Sequence, residues 1–239
     1  MQLINDLLDS VKNDAPVRNI LIGAHWTMVS SRGCGMASTV INSLPHGEGK
    51  VRDAGKLHLK SARELAGYLQ SEIWLEASIG LAALNSLLEI PQGKVTSVNA
   101  FKVVAEKSPG KHTAIFGHFP YLDEMRACAR KLSVFELNPC EGELSLDKVP
   151  EVLPDADVVA ITSNAIINHT LENILPHMNP NAFSVLVGPS TPLSPVLFEA
   201  GFNLLAGVRI LDEAALFQTI SQAAQFRQTD GAELITIAK

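Results

Sequence analysis

Leu3, Ile4, Leu7, Leu8 and Val11 recur at helical spacing, and the polar run NDAP that follows ends the pattern before Pro16. The spacing predicts an amphipathic first helix. The apolar runs VRNILIG and WTMVS lie either side of Ala24 and His25 and predict a two-stranded hairpin from Val17 to Ser30, with a loop at Arg32–Gly35. Ser61 and Glu64 are spaced as a capping box, so a helix starts there and runs into LAGYL. Beyond it, Ile73, Ala77, Gly80, Leu81, Leu84 and Leu88 mark one face of a longer helix that should form the centre of a first domain and stop before Pro91.

Between Ile90 and Lys111 the composition turns polar, with PQGK and SPGK bracketing VNAFKVVAEK, a short bridging helix. The boundary between two domains is placed in this stretch, giving an α+β domain over residues 1–95 and an α/β domain over 96–239. From His112 the pattern alternates: HTAIFG, SVFELN, DADVVAIT, FSVLVG and NLLAGVRIL read as strands, and YLDEMRACARKL, IINHTLENIL, SPVLFEA and DEAALFQTISQAA as helices. Strands that are nearly continuous apolar runs, alternating with helices, predict a parallel sheet covered on both faces.

The chain has 239 residues, enough for a sizeable core, with 46% hydrophobic and 18% charged residues. Only 5% are aromatic, the formal charge is -6 and no Lys/Arg run occurs, so the composition predicts no nucleic-acid partner. Neither a leader pattern nor a run of about 18 apolar residues is present, which predicts a cytoplasmic protein with no membrane partner. Cys34, Cys128 and Cys140 are widely spaced with no CxxC, so neither a disulfide framework nor a structural zinc site is signalled, and Cys128 reads as a small core residue.

Ligands of open parallel sheets bind beyond the carboxyl ends of the strands. Those ends are Gly117-His118-Phe119-Pro120, Asn138-Pro139-Cys140, Thr162-Ser163-Asn164 with Asn168 a turn later, and Gly188-Pro189-Ser190-Thr191-Pro192. Each offers hydroxyls, amides or uncovered backbone N–H groups, and three carry proline. Glu136 follows Gly117 at the distance of a ribose-binding carboxylate, or is a solvated acid at a strand end; GHFP lacks the GxGxxG of dinucleotide binders. Asn164 and Asn168, at i and i+4, share a helix face, although Asn164 also suits a helix N-cap. His169 points elsewhere and reads as a surface or packed residue. His118 is the better candidate for metal coordination or proton transfer, and Cys140 is placed to offer a soft thiolate at the same cleft edge. Cys34, between two glycines, would be accessible if its loop covers the cleft. No GxSxG elbow, P-loop, HExxH or Ser-His-Asp ordering is present, and no residue is assigned as catalytic.

Four segments together carry a resemblance: ASIGLAALNSLL, FELNP, DADVVAITSNAIINHTLENIL and VGPSTPLSPVLFEAGFNLLAGVRILD. They resemble the putative heavy-metal chelation family of two-domain prokaryotic proteins. The resemblance implies an enolase N-terminal-like domain packed on a Rossmann-like domain, with a site in the cleft between them and a role in handling a heavy or transition metal ion or a metal-bearing cofactor. The positions matching its motifs are Asn85, Asn138, Thr162, Asn164, Asn168, Gly188, Pro189, Ser190 and Thr191. A small pair such as Gly-Thr, frequent in the family after the third strand, is replaced here by Ser163-Asn164.

The leading expectation is therefore a small anionic or metal-complexed ligand in the interdomain cleft, with the prolines of VGPSTPLSP aiming backbone N–H groups and the Ser190 and Thr191 hydroxyls at it. One alternative is an enzyme with a nucleotide-type cofactor, S-adenosylmethionine or NAD, resting on Glu136. Another is a non-catalytic metal carrier using His118, Cys140 or Cys34.

Overall fold

Leu3, Ile4 and Leu7 are the buried residues of the first helix, α1 (Gln2–Ser10), as their spacing requires. The computed structural model describes residues 1–43, 45, 48–90, 95–119 and 122–239. After α1 come the predicted hairpin strands, β1 (Asn19–Ile22) and β2 (Trp26–Ser30), paired antiparallel with Ile20 opposite Val29. The expected loop at Arg32–Gly35 is instead a tight turn into a third strand, β3 (Cys34–Ser38), with Cys34 opposite Ser30. Its glycines mark a close approach. A Cβ on Gly35 would collide with the Ala82 carbonyl oxygen and the Ser86 nitrogen of the helix behind it.

Helix α2 (Ala62–Ala66) has the predicted capping box: the Ser61 hydroxyl accepts from the Glu64 N–H at 3.2 Å, and the Glu64 carboxylate accepts from the Ser61 N–H at 2.7 Å. Helix α3 (Trp74–Leu87) is the predicted long helix, buried nearly all round. It ends at Leu87, and Pro91, expected to stop it, lies outside the described residues.

The second half builds a seven-stranded sheet. In chain order its elements are β4 (Val95–Thr96), α4 (Ala100–Lys107), β5 (His112–Phe116), α5 (Leu122–Cys128), β6 (Lys131–Phe135), α6 (Val149–Val152) and β7 (Val158–Thr162). They continue with α7 (Asn164–Ile167), α8 (Leu171–Ile174), β8 (Phe183–Val187), α9 (Pro195–Glu199), β9 (Leu204–Ile210), α10 (Glu213–Ser221) and β10 (Ala232–Ala238). The spatial order is β4-β10-β9-β8-β7-β5-β6. Strands β5 to β9 are parallel, as predicted. The sheet is not wholly parallel, because β10 runs antiparallel to β9 and β4 antiparallel to β10. Neither β4 nor the terminal run AELITIA of β10 is among the strands that the apolar pattern predicts. The helix expected over IINHTLENIL is broken in two, since His169 sits between α7 and α8 at φ 60°.

Successive strand residues face opposite layers. Ile115, Val158, Ala160, Val185 and Val187 pack with Ala100 and Val104 of α4 and with Met125 of α5. Ala114, Phe116, Val159, Ile161 and Leu186 face the other way, into a core continuous with Leu7, Leu65, Leu81 and Leu84 of the first half. The small sheet is covered on both faces too. Val29 and Ala37 join the large core, whereas Met28 and Met36 pack against Leu216 and Ile220 of α10.

The contact between β3 and α3 leaves no room for a methyl group. Gly35→Ala is expected to lower unfolding stability by about 1–3 kcal/mol through overpacking, measured by urea titration. An unchanged midpoint would show that the strand lifts off the helix without cost.

Candidate functional site

Following β5, the chain crosses to β6 on one side and then returns to β7 on the other, so the connections leave β5 in opposite directions. A crevice opens at such a reversal, beyond the carboxyl ends of the strands. Here it is a cavity of about 290 Å³. Six of the residues singled out from the sequence line it: Gly117 and His118 after β5, Glu136 after β6, and Thr162, Asn164 and Asn168 at and after β7. Val40 and Trp74 close it from the first half, and Phe116 and Phe135, stacked at 4.6 Å between ring centroids, contribute apolar wall.

Gly117 adopts φ 104°, and a Cβ there would lie 3.3 Å from the Thr162 side chain. Asn164 is the first helical residue of α7 rather than its cap, which is Ser163. Asn168 terminates α7, and its Oδ1 accepts from the Thr170 N–H at 3.2 Å and the Thr170 hydroxyl at 2.7 Å. That local turn brings Asn168 to the same cavity as Asn164 without a continuous helix between them. His169, the packed residue of this corner, has its Nε2 donating to the Leu69 carbonyl at 2.8 Å across the two halves.

His118 lies between two carboxylates, with Nδ1 2.6 Å from Glu136 Oε1 and Nε2 2.6 Å from Glu143 Oε1. The Nε2 contact is a hydrogen bond in which the ring N–H donates, since a carboxylate only accepts, whereas the Nδ1 contact is a close approach outside the hydrogen bonds of the site. The Cys140 N–H donates to Glu143 Oε2 at 2.8 Å, and with His118 it holds the Glu143 carboxyl below its ordinary value. In this arrangement both ring nitrogens of His118 lie against glutamate carboxylates, and Cys140 joins the cluster through its backbone, its residue being exposed. Among the described residues no group of three or more His, Cys, Asp or Glu side chains is arranged to hold a metal ion.

The remaining candidates lie elsewhere. Asn85, Pro189, Thr191 and Cys34 line a separate cavity of about 450 Å³, together with Val208, Arg209 and Ile210 at the end of β9. The expectation that the Ser190 and Thr191 hydroxyls face a ligand is corrected by their partners. Ser190 is fully buried, its hydroxyl accepts from the Ser38 N–H at 2.8 Å and lies 3.1 Å from the Ser38 hydroxyl, and the Thr191 hydroxyl donates to the Gly188 carbonyl at 2.8 Å. Asn85 Nδ2 donates to the carbonyls of Met36 and Ser190, both at 3.0 Å. The rigid loop is a seam joining β3 and α3 to the large sheet. Gly188, at φ 139°, packs against Ser163, whose Oγ would lie 2.5 Å from a Cβ there. Asn138 is exposed and lines neither cavity, and Pro120 lies outside the described residues.

Two family profiles described as putative heavy-metal chelation match the chain, one over residues 4–88 and the other over 99–239. The chain belongs to this family. A solved structure of a family member of unknown function from Desulfitobacterium hafniense DCB-2 is similar, with a TM-score of 0.85, 29% identity, and coverage of 100% of this chain and 98% of that one. A second member of unknown function, from Pyrococcus horikoshii, shares the fold at a TM-score of 0.81 with 17% identity and coverage of 100% and 98%. An uncharacterized protein of Methanocaldococcus jannaschii is 26% identical over 198 residues, 78% of this chain and 75% of its own length.

In this family member, sequence reasoning missed Val40, Trp74 and Glu143. The first two carry no local signal, since only the packing of the two halves brings them to the cavity. Glu143 is three residues from Cys140, a spacing that gives an acidic side chain reach to a turn N–H but does not announce it. Two thiol expectations also change. Cys128 is exposed rather than in the core, and Cys34 is half-buried at the wall of the larger cavity, where burial pushes its thiol up to about 12 against the lowering effect of the Ser30 hydroxyl.

Iodoacetamide at about pH 8 should therefore modify Cys128 and Cys140 in the native protein well before Cys34, read by peptide mapping. Labelling of Cys34 at an equal rate would contradict its burial. The depressed Glu143 carboxyl supplies stability that is present above its ordinary value of 4.5 and is lost as pH falls through its lower folded value. Glu143→Gln should accordingly flatten the acid limb of a stability-versus-pH curve below about pH 4.5, and a curve parallel to the unmodified protein's would show that the pairing contributes nothing.

Proposed function

We propose that the chain binds a small metal-bearing ligand in the cavity at the carboxyl ends of β5, β6 and β7. The observation that carries this reading is convergence: six residues from three separate turns, together with Trp74 from the other half, line a single cavity at the reversal of strand order. Membership of the heavy-metal chelation family supplies the ligand class. Between the two ligand types the sequence suggests, the lining favours a metal complex over a free anion. Its described residues include Glu136 but no Lys or Arg, so nothing cationic is present to neutralise an anion except the His118 ring, already held by glutamates. Apolar and aromatic side chains such as Val40, Trp74, Phe119 and Leu146 suit the organic part of a complex better than a bare hydrated ion.

A second reading rests on Glu136, which stands at the end of the strand that flanks β5, where a nucleotide-binding fold holds a ribose. Its Oε1 is engaged by His118 at 2.6 Å, so adenosine binding would have to displace that ring.

Native mass spectrometry with elemental analysis, on protein prepared without chelators or a metal-binding tag, separates these readings. The expected result is a stoichiometric metal within an organic complex, lost on Asn164→Ala substitution while the melting temperature of the unliganded protein is kept. Ligand present at 100 times its Kd should add about 2.7 kcal/mol to stability. A melting shift with adenosine-containing ligands that Glu136→Ala abolishes, in the absence of any metal, would replace the metal reading with the nucleotide one.

A further inference from the structure

We propose that the larger cavity, beside Asn85, is a slot for a missing strand: it takes the end of an extended peptide, whose main chain pairs with β3 on one side and β9 on the other. The site is separate from the cavity of β5, β6 and β7 and does not rest on the reading given for that one.

Two strand edges face the cavity unpaired. Strand β3 is the last of the small sheet. The Thr39 N–H donates to the His25 carbonyl and the Ser31 N–H to the Gly33 carbonyl, so Gly33, Gly35, Ala37 and Thr39 turn their main-chain groups toward β2 and its turns. Cys34, Met36 and Ser38 therefore turn theirs outward. Strand β9 outruns β8, whose pairing with it ends at Ala206. Bonds from the Leu211 N–H to the Gly231 carbonyl and from the Lys239 N–H to the Asn203 carbonyl put the odd-numbered residues of β9 on the β10 side. Val208 and Ile210 thus face the place that β8 has already left. Cys34, Met36, Val208 and Ile210 all line the cavity. Asn85 Nδ2 takes the Met36 carbonyl. The Met36 N–H, and both main-chain groups of Cys34, Val208 and Ile210, have no partner among the described residues. Such edges are templates for another chain.

The protein's own backbone shows the width of the slot. The Gly188 N–H still donates to the Ala206 carbonyl of β9 at 3.0 Å, and two residues later the Ser190 hydroxyl accepts from the Ser38 N–H of β3 at 2.8 Å. One stretch of chain therefore reaches from edge to edge, and it walls off the slot at that end. Beyond this wall, Met36 to Cys34 and Val208 to Ile210 each cover two residues, roughly 7 Å, which leaves room for about three residues of an inserted strand. Both faces of such a strand meet apolar side chains. Met36 and Val208 pack with Leu216 and Ile220 of α10 on one face, and Leu88 and Leu193 line the other. The buried Asn85 Oδ1 has no partner among the described residues, and its orientation is fixed because Nδ2 donates to two carbonyls. It lacks a donor, which a peptide N–H supplies. Arg209, the cation of the lining, is already paired with Glu233, so the occupant is a neutral, apolar peptide end.

The test titrates the intact chain with acetyl-Val-Ala-Val-amide, with affinity read by calorimetry and position by amide NMR. The amide signals of Cys34, Met36, Val208 and Ile210 should shift and their hydrogen exchange should slow, while those of Thr162 and Asn164 stay in place. Methylating the nitrogen of the central residue removes a main-chain donor and adds apolar surface, and should weaken binding at least about tenfold. The same tripeptide flanked by glycines at both ends meets the wall at Ser190 and should also bind at least about tenfold more weakly. Unchanged affinity of the methylated peptide would overturn strand pairing and leave an apolar pocket. Equal binding of the flanked peptide would overturn the closed end. Slowed exchange at the four amides on raising the protein concentration alone would make the occupant a second copy of this chain instead. Shifts confined to Thr162 and Asn164, or no binding at all, would remove the site.

Discussion

The three-stranded sheet has no apolar face left over, and the rest of the molecule follows from that. One face packs through Val29 and Ala37 on the core shared with α3 and the large sheet, while the other packs through Met28 and Met36 on α10. Burying a Leu, Met or Ile side chain contributes about 1.5–3 kcal/mol, so neither half keeps its stability if the other is removed. Polar contacts reinforce the same junction. Glu172 of α8 accepts the Leu3 and Ile4 N–H groups at the start of α1, at 2.5 and 3.3 Å, and Arg18 beside β1 reaches Glu213 of α10 at 2.6 Å.

Docking the first half here places it over the carboxyl edge of the parallel strands, where an open sheet of this kind exposes its binding crevice. The Ser38–Ser190 contact crosses that edge and divides it. On one side lies the cavity of β5, β6 and β7; on the other lies the larger one beside Cys34, Asn85 and Arg209. The prolines of VGPSTPLSP are thereby accounted for, because Ser190 must present both its hydroxyl and its carbonyl to the first half at the same time.

Much of this was legible in the sequence where one physical effect dominates locally. The apolar runs at Ala114–Phe116 and Val158–Ile161 announce buried parallel strands, and Ser61 with Glu64 announces a helix start. The strand beginning at Cys34 was illegible because its glycines mimic a loop, and only the position of α3 shows that they are there for clearance. The candidate residues were legible as strand ends, since that rule depends on topology alone. What they bind to was not. Ser190 and Asn168 both look like free polar groups in sequence, yet one is buried against Ser38 and the other keeps an amide edge without a partner among the described residues. Cys128, which reads as a core residue in sequence, is exposed for the same reason, because exposure is a property of the assembled layers.

The shared core also fixes how the cavity can operate. In proteins whose two halves meet through a thin, wet interface, the halves swing apart to admit a ligand and shut on it. Here such a swing would draw Leu7, Leu65 and Met28 into water and break the Ser38–Ser190 and His169–Leu69 contacts together. The cavity is a mould rather than a jaw, and a ligand must match its walls as they stand, entering and leaving by an opening that is already there.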